Sequence, residues 1–300
     1  MALCCVDVFY YAIWTIVPFF LGLRFHHRLL WNPKACPAQL KGKTTIVTGA
    51  NSGIGKFIAL DFARRGARVL LACRDQQAGD AAVQEIRRLT HNQDVHLRLL
   101  DTSSLASVRA CANRINEEEK ALHILVNNVG ASGLPEEITQ DGLQISFATN
   151  HLGPFLLTNL LLGTVNFSHF KGENLTCRMD NVYNSTKLHQ LICTTELARR
   201  LQGSGVTANA VHPGYCMTSI MRHYSLALRI AFNIIGVFFF KYVEQGAVSP
   251  IYCAVSEELE GVTGKFFDSD CSLARPAPLA RDPALAAKDF EISERLTSKL

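Results

Sequence analysis

The chain has 300 residues, 48% apolar and 19% charged, with a net charge of +4. That is enough for one large domain or two small ones, and the ordinary counts of Gly, Pro and Cys (20, 10 and 10) exclude collagen-like, disordered and disulfide-scaffold classes. So mild a charge gives no reason to expect nucleic acid as a partner, and a charged fraction below the roughly 25% of an average soluble domain points to membrane contact.

Residues 2–23 carry one charge, Asp7, and are rich in Phe, Tyr, Ile, Val, Leu and Trp. An apolar run of about 20 residues spans a bilayer as a helix. Arg24, Arg28, Lys34, Lys41 and Lys43 follow it, so the positive-inside rule places the rest of the chain in the cytosol. Residues 1–24 thus read as a membrane anchor and 25–42 as a basic linker. A cleaved signal peptide fits less well, because there is no basic n-region and no small-x-small cleavage site. The cysteines form no C-x-x-C pair and read as reduced thiols, with no metal site expected; Cys4 and Cys5 beside the apolar run are candidates for S-acylation. Sequons stand at Asn166, Asn174 and Asn184.

From residue 43 the pattern alternates. Strands are predicted at 44–47, 68–73, 95–100 and 122–126, with helices at 56–65, 76–89 and 104–120 between them. Such β-α-β-α order predicts an α/β fold with a doubly wound parallel sheet, in one domain over 43–275. The first strand runs into Thr48-Gly49-Ala50-Asn51-Ser52-Gly53-Ile54-Gly55. Gly49 permits the turn, Gly53 lets the backbone approach a pyrophosphate, and Gly55 lets the helix pack close on the sheet. The helix N-terminus stabilises phosphate. Arg74 ends the second strand, where an acidic residue would hold a ribose 2′-hydroxyl. A guanidinium suits a 2′-phosphate, so NADP(H) is read over NAD(H). Lys56 adds a second cation, and Asp75 argues the other way.

The motifs T48-G-A-N-S-G-I-G55, Asp101, N127-N-V-G130, N150-H-L-G-P-F, Y183-N-S-T-K187 and H212-P-G214 with Thr218 stand in one order. With them the chain resembles the classical short-chain dehydrogenase/reductases, and more closely the membrane-anchored retinol dehydrogenases, over about residues 40 to 275. The resemblance implies a Rossmann-like domain in which Tyr183 donates the proton. Lys187, four residues on, shares its helix face and would lower the Tyr183 pKa. It further implies that Lys187 holds the nicotinamide ribose, that Asn150 carries a water relay, and that Asp101 orients the adenine. Asn127 would sit over the cofactor, and Thr218 beyond Pro213 and Gly214 would bind the carboxamide. Asn184 lies inside the catalytic motif, where a glycan would block chemistry, which again favours a cytosolic domain.

One departure matters. The family has a fifth strand between the helix of Asn150 and that of Tyr183, ending in a serine that polarises the substrate carbonyl. Here the helix at 154–162 runs into Gly163-Thr-Val-Asn-Phe-Ser-His-Phe170, which resembles the loop after that serine. By this resemblance a block of about two dozen residues, containing the fifth strand and the catalytic serine, is missing. The alternative is a short strand at 164–167 with Ser168, 15 residues before Tyr183, as the serine. A central strand's five or so apolar side chains contribute on the order of 10 kcal/mol, comparable to the whole stability of a domain at about 5–15 kcal/mol.

Residues 220–241 are apolar and, by resemblance, form a lid suited to a long hydrophobic substrate; a buried core helix and a second membrane contact are the rival readings. Strands are predicted at 206–211 and 261–267, a helix at 246–253, and a loop and surface helix over 276–300. Two functions remain open. One is NADP(H)-dependent interconversion of a hydrophobic alcohol and carbonyl, such as retinol and retinal. The other is a catalytically impaired membrane-anchored homologue. The resemblance adds an endoplasmic reticulum location and the possibility of a homodimer.

Overall fold

A computed structural model describes residues 31–162 and 179–298. The predicted anchor, the strand at 164–167, Ser168, Asn166 and Asn174 lie outside the described residues.

β1 (Thr44–Thr48), β2 (Arg68–Cys73), β3 (Val95–Leu99) and β4 (Ile124–Val126) form a parallel sheet in the order β3-β2-β1-β4. All five residues of β1 are buried, as expected of a β-branched run covered on both faces. Its alternation assigns the faces. Val47, with Val69 and Leu71 of β2, packs on α1 (Gly53–Arg64) and α2 (Gln76–Thr90) through Ile58, Phe62 and Ile86. Ile46, paired with Leu70 and Leu125, faces α3 (Leu105–Glu118) and α4 through Leu105, Ile115 and Leu157. Helix α4 is α-helical at Ile145–Phe147, opens into a π turn over Ala148–Leu152 and resumes over Gly153–Leu161.

The rest of the strand content is separate. β5 (Ala210–Val211) pairs in parallel with β6 (Phe266–Phe267), which pairs antiparallel with β7 (Leu273–Ala274). No ladder joins this sheet to the first among the described residues. The single doubly wound sheet is therefore corrected to a four-stranded parallel sheet and a small three-stranded one. The predicted strands at 206–211 and 261–267 shrink to two residues each. A strand exists only where a neighbour takes up its N–H and C=O groups, and no described strand lies between β4 and β5.

Helix α7 (Val243–Val255) spans the gap. Ala247, Ile251 and Val255 enter the core of β1 and α1, while Val248 and Tyr252 meet Phe267 and Cys271. A Cβ on Gly246 would lie 2.4 Å from the Cys216 sulfur, so glycine is required there for close approach. Helix α5 (Met179–Arg200) is flanked by α8 (Pro283–Ser298), with Phe155, Cys193 and Phe290 packed together. The C-terminal tail is thus a buried partner of α5 rather than a surface appendage. Between them in sequence lies α6 (Leu226–Phe239), preceded by a 3₁₀ turn over Ser219–His223. Gly236 is its only buried residue, which removes the reading of this segment as a core helix. Among the described residues no helix is long and apolar enough to cross a membrane.

Candidate active site

The glycine turn leaves β1 with Gly49 at φ 66° and Gly53 at φ 59°, both left-handed conformations that glycine adopts without strain. A Cβ on Gly55 would meet the Asn128 amide nitrogen at 2.5 Å and the Gly49 carbonyl oxygen at 2.7 Å. A Cβ on Gly53 would meet nothing within 4 Å. Ser52 precedes α1 in an extended conformation and its side chain caps none of the helix N–H groups. The turn therefore offers open space in front of first-turn N–H groups, the arrangement an anionic phosphate requires, and a dinucleotide fits it. Ile54 packs beneath, against the position of Gly246.

Other cofactor expectations are changed in detail. Asp75 Oδ1 accepts from Ala78 N at 2.9 Å, capping α2. This cap engages one oxygen of the exposed Asp75 carboxylate, beside the exposed Arg74. Lys56 Nζ bonds Glu85 Oε2 at 2.5 Å, so it is paired rather than a second cation for the cofactor. Asp101 Oδ1 accepts from the Ser103 amide at 2.9 Å and its hydroxyl at 2.6 Å, which leaves Oδ2 for an adenine. Asn127 was expected over the cofactor, but its amide turns to Thr158 Oγ1 of α4 at 2.8 Å. Asn128 takes the place beside the glycines and bonds the Thr48 carbonyl at 2.9 Å. Gly214, at φ 85°, and Pro213 turn the chain after β5. Thr218 is half-buried at the start of the 3₁₀ turn.

Tyr183, Lys187 and Asn150 come together. The Lys187 ammonium lies 5.6 Å from the centre of the Tyr183 ring and donates to Gln190 Oε1 at 3.0 Å. Gln190 in turn donates to the Asn150 carbonyl. The fully buried Asn150 side chain clasps the Ala131 main chain, accepting from its N–H at 2.8 Å and donating to its carbonyl at 2.9 Å. Gly130 sits against Lys187, where a Cβ would come within 3.2 Å of Nζ. The loop after β4 is thereby fixed to both catalytic helices. Gln190 was missed from the sequence; only its place one turn beyond Lys187 could have signalled it.

The electrostatics correct another expectation. Burial pushes the Lys187 amine down to about 8. Burial, with a contribution from Tyr224, pushes the Tyr183 hydroxyl up rather than down. The ammonium points to Gln190 and lies over the ring, so the phenol gains little from it.

Behind these residues is a buried cluster the sequence did not reveal. His189 and Cys193, four apart on α5, meet Asp289 of α8: His189 Nδ1 lies 2.5 Å from Asp289 Oδ1, and the Cys193 thiol 3.2 Å from Oδ2. His151, next to Asn150, bonds Ser293 Oγ at 2.8 Å, and burial holds its imidazole at about 3, hence neutral. The fold gathers His151, His189 and Asp289, whose ligand-type atoms lie within 4.8 Å of one another. At 2.5 Å the His189–Asp289 contact is a hydrogen bond, shorter than the roughly 3.3 Å between two ligands on one tetrahedral zinc. The cluster fixes α5 and α8 from behind the catalytic face. The side chain of Asn184 is exposed on α5.

The profile described as short chain dehydrogenase matches residues 43–228. The chain belongs to that family. Mouse retinol dehydrogenase 12 is 42% identical over 276 residues, covering 85% of this chain and 86% of that protein. Human retinol dehydrogenase 13 is 42% identical over 289 residues, covering 87% of each. Human retinol dehydrogenase 11 is 38% identical over 312 positions, more than the 300 residues available, so that relative carries residues this chain lacks. Among solved structures, an uncharacterized protein of Mycobacterium paratuberculosis superposes with a TM-score of 0.67 at 30% identity, covering 89% of this chain and 97% of that one. A gluconate 5-dehydrogenase of Burkholderia cenocepacia, solved with NADP and tartrate, does so at 0.60 and 19% identity, over 83% and 97%, a likeness of fold alone. This short-chain dehydrogenase is an oxidoreductase built on a Rossmann-like fold with a four-stranded parallel sheet.

Proposed function

We propose that the protein interconverts a hydrophobic alcohol and its carbonyl with NADP(H), and that the substrate is a retinoid. The observation that carries this is the joining of Tyr183, Lys187 and Asn150 through Gln190 and Ala131, beside a glycine turn whose helix N–H groups lie open. The nicotinamide supplies hydride to the carbonyl carbon or takes it back. Tyr183 gives the oxygen its proton or recovers it; a hydroxyl raised above its ordinary value is the protonated species at neutral pH. Lys187 and Gln190 anchor the tyrosine's helix to Asn150. Thr218, Pro213 and Gly214 flank the nicotinamide end, and Gly49, Ser52, Gly53, Ile54 and Gly55 take the pyrophosphate. Arg74, with Asp75 engaged as a cap, supports the 2′-phosphate form of the cofactor.

The retinoid follows from the relatives' substrate names and from the apolar surface of α6, where Leu226, Leu228, Ile230, Ile234, Ile235 and Val237 are exposed. That surface, together with the apolar 2–23 run, supports attachment to the endoplasmic reticulum membrane with the domain in the cytosol. The impaired-homologue reading is favoured by one observation: among the described residues no ladder joins β4 and β5.

The test is NADPH-dependent reduction of all-trans-retinal by membranes containing the chain, with Tyr183→Phe as blank. Turnover lost in the variant, by about 10³-fold for a general acid, supports the reading. Protein present in the membrane without turnover above the blank supports the impaired homologue.

A further inference from the structure

Reduction places growing negative charge on the carbonyl oxygen. One hydroxyl transfers the proton, and a second preorganised donor at that oxygen is worth about 10²–10³ in rate. Tyr183 is the first. The chain from Gly130 to Gly133 carries a second hydroxyl, that of Ser132, on a loop held against Lys187 and Asn150 of the same site. Gly130 touches Lys187, Ala131 is held by Asn150, and Ser132 Oγ lies 2.7 Å from the Tyr224 hydroxyl. Gly133, at φ 68°, lies under the Tyr224 ring, which a Cβ there would meet at 2.7 Å. Tyr224 stands between the 3₁₀ turn and α6, so this contact ties the lid to the loop after β4. Tyr224 also contributes to the raised Tyr183 hydroxyl.

Resting on the functional reading above, we propose that Ser132, positioned by Tyr224, is the second hydroxyl donor to the substrate carbonyl. With Tyr224 donating into the Ser132 oxygen, the serine's own proton points to the substrate oxygen, and each hydroxyl keeps one donor bond. Closure of the lid and completion of the donor set are then one event, because Tyr224 belongs to the lid segment.

The test uses the full chain in lipid nanodiscs, in a Tyr183→Phe background with NADPH, so that bound all-trans-retinal stays unreduced. The readout is its carbonyl stretching band by Raman spectroscopy. In that background the band lies below its position in hexane, reporting a remaining donor. Adding Ser132→Ala returns it to the hexane value, and adding Tyr224→Phe returns it part of the way. With Tyr183 present, Ser132→Ala lowers kcat about 10²-fold with little change in KM, and Ser132→Thr recovers part of it. NADPH binding matching the wild type in every variant reports an intact fold. A downshift kept in Ser132→Ala but lost in Ser168→Ala overturns the proposal, as does a band at the hexane position before either change. Failure of retinal to bind is a different result: it overturns the functional reading, and the donor assignment with it.

Discussion

All five side chains of β1 are buried, and its backbone pairs with β2 on one side and β4 on the other. β5 is two residues long, half-buried, and pairs only with β6 among the described residues. Both are internal parallel strands in the predicted order. The difference is neighbours: β1 has both of its own, whereas no described strand stands between β4 and β5. The same contrast runs through the site. The glycine turn follows β1, which is paired on both sides, while His212, Pro213, Gly214 and Thr218 follow β5, which among the described residues is paired only with β6. The two parts are joined by α7, whose Ala247 and Ile251 enter the core of β1, whose Val248 and Tyr252 meet Phe267, and whose Gly246 lies against Ile54 and Cys216. The glycine turn therefore stands on the well-packed sheet, and the segment from His212 to Thr218 follows a strand that, among the described residues, shares no ladder with that sheet.

This contrast is most sharply tested in the cores. Ile46→Ala, at a position with no exposure between Leu70 and Leu125, should cost about 2–5 kcal/mol in chemical denaturation. Val211→Ala, half-buried in β5, should cost about 1 kcal/mol, the value of a partly buried methyl pair. Equal costs would mean that the two strands are held alike.

The cofactor region makes a sharper distinction between neighbours in sequence. Arg74→Ala should weaken NADPH about 10- to 100-fold, the loss of a charged hydrogen bond, and leave NADH nearly unaffected; titration by cofactor fluorescence reads both. Asp75→Ala should cost about 1 kcal/mol of stability through its lost cap without moving the NADPH-to-NADH ratio. A change of that ratio in Asp75→Ala would restore the carboxylate to the cofactor.

The smallest effect is in titration. Lys187 sits near 8 in the folded protein against an ordinary value of 10.5, so between these values the unfolded chain binds more protons. Stability should therefore rise with pH from about 8 to 10.5, and Lys187→Met should flatten that rise in melting curves taken across the window.

The first half of the fold was legible because its signals are local. Thr44 to Thr48 is β-branched throughout, Ser104 caps α3 by accepting from the Ser107 amide, and the glycine turn carries its own geometry. Tyr183, Lys187 and Asn150 were legible because their motifs stand in a recognisable order. What lay beyond reach needed distant partners. The length of β5 depends on whether another strand lies beside it, not on Val206 or Val211. Ser132 and Tyr224 are 92 positions apart, and the His189–Asp289 pair 100, so no spacing announces either. Asp75 is ambiguous because one carboxylate suits a ribose or a helix cap equally, and its bond to Ala78 shows the cap alone.

The two parts of the strand framework should differ in stability, because among the described residues no ladder joins them. Hydrogen exchange of the full-length protein, followed by mass spectrometry on peptides covering 44–48, 68–73, 208–214 and 264–275, tests it most directly. Amides of β1 and β2 should exchange only through global unfolding, and those of β5 and β6 through a lower-energy local opening. Protection of equal free energy in all four peptides would contradict the account and place β5 in a continuous sheet with β4.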